Sequence, residues 1–399
     1  MRTILFTTLL IAFSAASIAA APVPVIPDKA PGPSKISFWN TQRRGANCFN
    51  REVTPDWWAS AKKAGIEFVR LVPDKWPGQH RDFLIGDADH YDSLIGTDFA
   101  KLKKTLDQAD AAGMRVVLGM LSLPGARWRQ NNGNQPDLRL WQDVAYWTQA
   151  ARFWRELAGR LNGHRALVGF NIINEPTPED ATPATAASEK GGWTAPIENT
   201  AADLNAFYRT VIASIRTADT QTPIFIDAGV WASASAFAKL KPVSDDKTLY
   251  AFHMYEPFEY TNKKANGGKM CYPGMTAAKS QNPVPLDINT LRATISPVAD
   301  WQRQYNIPSN RIIAEEFGCH RTNCGAAEYL SDLIHIFNAQ EWHWAFYSFR
   351  EDTWDGMDYE IGDQPLGAAF WKDLQAGKKP TPPRSKNRLW DAIRNNLRQ

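Results

Sequence analysis

Short apolar runs rich in β-branched and aromatic side chains recur along the chain, and stretches of helical periodicity separate them. The predicted strands are Arg44–Asn47, Phe68–Val72, Arg115–Leu121, the run from Leu167 to Pro176, Pro223–Ala228, Leu249–Tyr255, Arg311–Phe317 and Trp344–Phe349. Their near-continuous apolar character marks strands covered on both faces, as in parallel sheets. Between them the pattern predicts helices: one opened by Thr54-Pro55 and running through Lys63, then Phe99–Ala112, Trp141–Leu161, Ala202–Thr217, Asn289–Gln304, Ala326–Asn338 and Asn387–Leu397. Pro55 suits a first helical turn behind a threonine cap, and Gly113 suits a helix stop. The fifth crossover, near Ala232–Leu240, is short. Eight strands in alternation with helices predict a closed (β/α)8 TIM barrel over residues 37–399. A doubly wound open sheet is the alternative arrangement. No second domain or solenoid repeat is apparent. Long insertions after strands four and six, Thr177–Thr200 and Thr261–Asp287, belong on the face where barrel loops carry chemistry.

The N-terminus departs from this pattern. Met1-Arg2-Thr3, an apolar run from Ile4 to Ala15 and small residues through Ala21 form a secretory signal over residues 1–21. A proline-rich arm follows over residues 22–36. No later segment reaches the length of a membrane span, so the mature protein is expected in a bacterial periplasm or outside the cell. Export makes disulfides admissible for the four cysteines, which allow three pairings. Cys319–Cys324 is expected as a small loop staple and Cys48–Cys271 as the second bridge. No CxxC or close histidine pair accompanies them, which argues against a zinc site.

A net charge of +3 with basic residues scattered among acids gives no nucleic-acid footprint. Sixteen tryptophans are the larger deviation; core packing claims most of them, and some suit the apolar faces of sugar rings.

Two strand ends carry the candidate chemistry. Asn174-Glu175-Pro176 ends strand four, where Pro176 cannot continue the ladder. Glu315-Glu316-Phe317-Gly318 ends strand seven. Glutamate seldom sits at a buried strand end without a partner or a purpose, and barrel closure brings both ends to one rim. Two facing carboxyls are the apparatus of glycosidic bond cleavage, one protonated to assist the leaving group and the other ionised. In a regular strand Glu315 points away from Glu316 and is read as structural. His253 and Tyr255, two residues apart, share one strand face, and Arg70 within an apolar strand requires an acid.

Asn174-Glu175-Pro176 and Glu316-Phe317-Gly318, with Arg70 and His253-Met254-Tyr255, resemble glycoside hydrolase family 5, the cellulase-like clan of retaining barrel enzymes, from about Arg44 to Phe349. The resemblance implies Glu175 as general acid/base and Glu316 as nucleophile. It implies Asn174 on the sugar 2-hydroxyl, Arg70 and Tyr255 holding Glu316, and His253 beside the pair. It further implies a β-linked carbohydrate substrate, with β-glucans first, and no metal or organic cofactor. A monomer without nucleic-acid partners is expected.

Two positions depart from the family pattern. Leu121 stands where a histidine is usual, and Tyr347 where a tryptophan floors the reactive subsite, with Trp344 as a possible substitute. Both bear on which sugar is accepted. Trp76, Trp128, Trp193, Trp231 and Trp354 follow strand ends and are platform candidates. A transglycosylase with the same pair and a non-catalytic carbohydrate-binding barrel are the competing functions.

Overall fold

A computed structural model of the chain describes residues 34–182, 197–276, 283–351, 356–378 and 380–397. Residues 1–21, where a signal is expected, most of the proline-rich stretch, Trp193 and Trp354 lie outside these residues.

Eight parallel strands close into a barrel: β1 (Arg44–Cys48), β2 (Phe68–Leu71), β3 (Arg115–Gly119), β4 (Leu167–Asn171), β5 (Ile224–Asp227), β6 (Thr248–Met254), β7 (Ile312–Phe317) and β8 (His343–Phe346). Each strand pairs with its sequence neighbours, and β8 closes on β1 through Arg44–Trp344 to Ala46–Phe346. The predicted alternation is therefore the observed fold, as a barrel and not an open sheet. Strand ends are trimmed relative to the apolar runs, because residues such as Leu121 and Tyr255 extend past the last ladder bond onto the rim.

The helices begin and end where side chains can serve the unpaired backbone groups. Thr54 accepts from the Trp57 amide at 3.3 Å ahead of Pro55–Ala64. Asp143, Asp203 and Asp287 cap the helices Val144–Leu161, Leu204–Arg216 and Ile288–Tyr305 in the same way. The fifth crossover is the exception. Val230, Trp231 and Ala232 have φ of 51°, 58° and 57°, a left-handed turn that leads into the 3-10 segment Ala234–Lys239.

Side chains inside the barrel form layers. At the bottom lie Phe68, Val117, Val168, Phe225, Leu249 and Ile313, plugged by Trp39, whose indole donates to the Val168 carbonyl at 2.9 Å. Large rings there require small neighbours: a Cβ on Gly169 would stand 2.4 Å from the Phe225 ring. The next layer up is polar and buried: Asn47, Arg70, Asn171, Asp227, His253 and Glu315. Above it, Phe49, Val72, Leu121, Tyr255 and Tyr347 form the rim. The barrel core is thus apolar below and ionic above, and the site stands on the ionic layer.

Two expectations are corrected here. The disulfide joins Cys271 to Cys324, whose Cα atoms are 4.6 Å apart. It ties the loop after β6 to the loop after β7, and a bridge between the same two residues continues the clamp. Cys48 and Cys319 are free thiols and fully buried. Cys48 packs between sheet and helices, and Cys319 bonds through its backbone to the Tyr359 hydroxyl. Spacing along the chain suggested otherwise because sequence proximity says nothing about which loops the barrel juxtaposes.

The second correction concerns β7. Its register against β6 shifts between Phe252 and His253, so that Phe252 opposes Ala314 while His253 opposes Glu316. Glu315 is the extra residue of this bulge. Both glutamates consequently face the barrel interior, and Glu315 lies beneath the site instead of behind it. Among the described residues no helix is long and apolar enough to cross a membrane.

Candidate active site

A cavity of about 720 Å³ opens at the C-terminal rim, lined by Asn174, Glu175, Tyr255, Glu316 and Tyr347 among others. A smaller cavity of about 140 Å³ shares Leu121, Trp128, Asn174 and Glu175 with it and continues toward Thr177, Asp180 and Trp231. The two cavities adjoin at these shared residues, with Glu175 where they meet.

Arg70, at the centre of β2, organises the floor. One terminal nitrogen donates to Glu316 Oε1 at 2.6 Å and to Asn47 Oδ1 at 3.3 Å; the other donates to the side-chain oxygens of Asn171 and Asn174, both at 2.7 Å. Its Nε lies 3.0 Å from Glu315. The guanidinium is fully buried, and the carboxylates around it hold its proton more firmly than in water. Planar donors in a rigid fork explain why an arginine fits here.

Glu316 also accepts from the Tyr255 hydroxyl at 2.8 Å. Burial first, and then the Glu316 charge, push the Tyr255 hydroxyl well above its ordinary range, so that it stays a donor. Glu175 stands opposite. A carboxylate oxygen of Glu175, one of Glu316 and a ring nitrogen of His253 all lie within 4.8 Å of one another. His253 Nδ1 is 3.0 Å from Glu175 Oε1, and its Nε2 is 3.8 Å from both Asp227 and Glu316. Burial alone would depress the imidazole, yet Glu316, Glu175 and Asp227 outweigh it and lift His253 to about 9. Glu175 is raised above the ordinary carboxylate range, chiefly by burial and further by the Glu316 and Asp227 charges, against the opposing pull of His253. One carboxyl thus sits in ionic contact with a guanidinium, while the other is pushed toward its protonated form. That is the division of labour an acid and a nucleophile need.

Glu175 itself has φ of 50°, a left-handed conformation that a non-glycine residue adopts at a cost of about 1–3 kcal/mol. Its amide donates to Asp227 at 3.0 Å. Asp227 and Asn171 were not singled out from the sequence. A signal existed for Asp227: Ile224-Phe225-Ile226-Asp227 is an apolar strand ending in an acid, the same pattern that marked Glu316. For Asn171 and Asn47, polar residues within apolar strands, the sequence offers no comparable mark.

The aromatic candidates divide. Trp128 lines both cavities, and Trp231 lines the smaller one and is 40% exposed. Trp76 is buried against Phe83, and neither cavity touches it. Trp344 is not a substitute floor. It points outward between sheet and helix, with its indole donating to Asn338 at 3.0 Å, because Ala345 in β8 and Tyr347 just past its end take the inward positions. Tyr347 does line the larger cavity, packed edge-on to Phe49, and its hydroxyl accepts from Asn50 at 3.3 Å. Leu121 stands on the same wall.

Ligand atoms of Glu175, His253 and Glu316, and separately those of Asp227, His253 and Glu315, are close enough to hold a metal ion. The Arg70 guanidinium already balances Glu315 and Glu316, and the His253 imidazole, raised to about 9, would have to give up its proton to an ion bound there.

Fold and rim together define a (β/α)8 barrel with a two-carboxyl centre. Its scaffold is shared with endoglucanase Cel5A of Thermotoga maritima, a solved structure that superposes with a TM-score of 0.62 at 18% identity, covering 90% of this chain and 98% of that one. The chain belongs to the cellulase family, glycosyl hydrolase family 5, whose profile matches residues 35–353. Among curated relatives, endoglucanase C of Acetivibrio thermocellus is 26% identical over 204 residues, 51% of this chain and 50% of its own length. A β-xylosidase of Phanerodontia chrysosporium is 21% identical over 322 residues, 79% of this chain and 60% of its own. The chain therefore spans about half the length of the endoglucanase it matches.

Proposed function

We propose that the protein is a retaining glycoside hydrolase that cleaves β-linked glucan or a related β-glycan within a groove, with Glu316 as nucleophile and Glu175 as acid/base. The observation that carries this reading is the pair itself. Two carboxyls whose nearest oxygens lie within 4.8 Å of each other fit the short separation of retaining enzymes, about 5–5.5 Å, better than the roughly 6.5–9.5 Å of inverting ones.

In the first step Glu316 attacks the anomeric carbon while the Glu175 proton passes to the departing oxygen. The glycosidic bond breaks, and a glycosyl ester forms on Glu316. In the second step Glu175 takes a proton from water, the water oxygen attacks the anomeric carbon, and Glu316 leaves with its electron pair. Arg70 and Tyr255 hold the Glu316 carboxyl aimed at the anomeric carbon. The Asn174 oxygen is committed to Arg70, so its amide nitrogen is the group left to donate to a sugar 2-hydroxyl. Trp128 and Trp231 line the groove as platforms for sugar faces. Two adjoining cavities that meet at Glu175 support cleavage within a chain, as the endoglucanase name of one relative also suggests. The apolar N-terminus supports export, with the signal removed.

A polysaccharide and aryl-glycoside screen with Glu316→Gln alongside tests the reading. Hydrolysis of a β-glycan with retained anomeric configuration, abolished in the variant, is expected. Activity that persists in Glu316→Gln removes the nucleophile, and an inverted product removes the mechanism.

A further inference from the structure

The residue that links the two halves of the site is neither of the glutamates. Asp227 ends β5 fully buried, with one carboxylate oxygen accepting from Asn171 Nδ2 at 2.7 Å and the other from the Glu175 amide at 3.0 Å. Asn171 in turn accepts from Arg70 at 2.7 Å, and Arg70 donates to Glu316 at 2.6 Å. An unbroken chain of hydrogen bonds thus runs from one catalytic carboxyl, through the polar layer, to the backbone of the other. The Asp227 carbonyl is itself anchored by the Tyr208 hydroxyl at 2.8 Å, so the strand end cannot swing away.

Two features of Glu175 need a partner of this kind. Its left-handed backbone is held at a cost, and an amide bonded to a buried carboxylate is a means of holding it. Its neighbour His253 presents Nε2 to Asp227 at 3.8 Å, so the imidazolium that bonds Glu175 is flanked from behind by the same carboxylate. We propose that Asp227 is a positioning residue for the acid/base: it fixes the backbone from which Glu175 reaches the leaving-group oxygen. Its charge adds to that of Glu316 in favouring the protonated Glu175 carboxyl. The inference rests on Glu175 and Glu316 being the catalytic pair.

The other charged groups facing this cluster are accounted for. From β2 comes Arg70, balanced against Glu315 and Glu316 of β7. From β6 and the residue pair after it come His253, Tyr255 and Glu256, the last raised mainly by its own burial and opposed by His253. Glu315 beneath is held well above the ordinary carboxylate range, first by burial and, against Arg70, by the Asp227 charge. None of these bonds the Glu175 amide, which is the contact specific to Asp227.

The test is Asp227→Asn, isosteric but uncharged. It is measured on aryl glycosides of the β-linked sugar that the wild-type protein hydrolyses, with phenols of low and high acidity as leaving groups. Proton donation matters for the poor leaving group and hardly for the good one. The expected result is a loss of about tenfold or more in kcat/KM for the poor leaving group, a loss below about threefold for the good one, and a basic limb of the pH profile displaced to lower pH. The displacement follows because removing a negative charge beside Glu175 makes its proton easier to lose. Equal losses for both leaving groups with an unmoved limb overturn the proposal, as does a variant that matches wild type throughout. Asp227→Ser serves in the same assays if the asparagine variant does not melt cooperatively. Glu175→Gln and Glu316→Gln are measured alongside. If they are inactive and Asp227→Asn is not impaired, only the positioning role fails; if they keep full activity, the catalytic pair fails and this inference with it.

Discussion

Replacing Arg70 with methionine separates the charge of this residue from its volume. The side chain is fully buried, and every nitrogen of its guanidinium faces a partner: Glu315 from Nε, Glu316 and Asn47 from one terminal nitrogen, Asn171 and Asn174 from the other. Methionine fills much of the space and leaves two buried carboxyls without a counter-ion, which costs about 3–5 kcal/mol in comparable buried pairs. Glu315 can meet part of this by taking a proton, since burial already holds it well above the ordinary range. With an unfolding entropy of about 2.1 cal/mol/K per residue over 399 residues, the slope near Tm is about 0.8 kcal/mol/K, so the expected fall in Tm is about 4–6 °C. Hydrolysis should fall by about 100-fold or more, because Glu316 loses its aim and Asn174 its anchor. Arg70→Lys should retain more stability than Arg70→Met and little more activity, since one ammonium cannot span four acceptor side chains and Glu315. The assays are thermal melts followed by circular dichroism and rates on the preferred substrate. A methionine variant that melts within about 1 °C of wild type and turns over at the wild-type rate would refute the argument that Arg70 organises the floor.

Two further outcomes are expected. His253 is raised from 6.5 to about 9, so the folded state binds a proton that the unfolded chain releases between those values. Its stabilising contribution is complete below pH 6.5 and is lost as pH climbs through about 9, a difference of about 3 kcal/mol that His253→Gln should remove from the pH–stability curve; superimposable curves would count against an imidazolium at this position. The Cys271–Cys324 bridge closes a loop of 53 residues, for which chain entropy assigns about 4 kcal/mol, so reduction or Cys271→Ser should lower Tm by about 5 °C. The same change should raise KM, since the clamped loop carries Asn262, Lys263 and Lys264 on the cavity wall; an unaltered KM would show that the wall stands without the clamp.

Much of this molecule could be read before its structure. The alternating strands and helices reach the barrel because each apolar run is too uniformly hydrophobic to face water on either side, and eight such units close on one another. Glu175 and Glu316 stood out because an acid at the end of an apolar strand is costly without a reason. His253 and Tyr255 stood out because polar residues at a two-residue spacing share a strand face, and Arg70 because an arginine within an apolar strand requires an acid. The same argument went astray at Glu315, where a single bulge reverses the face, and at Trp344, whose outward direction depends on where the alternation of β8 starts. It passed over Asp227, although the pattern that marked Glu316 was present there too.

The periodicity of hydrophobic and polar positions is a local property, so the eight strands, the main helices between them and their order were legible in the sequence, while the helix Ala368–Gln375 was not. Partnership is not local. The pairing of Cys271 with Cys324, the inward turn of Glu315 and the chain from Glu316 through Arg70, Asn171 and Asp227 to the Glu175 amide depend on barrel register. Register is set by how eight strands close together, and one residue of slip exchanges inside for outside. The environments of Glu175 and Glu316 belong to the same class. Their chemistry follows from which charges and how much burial surround each carboxyl, and only the closed barrel decides that.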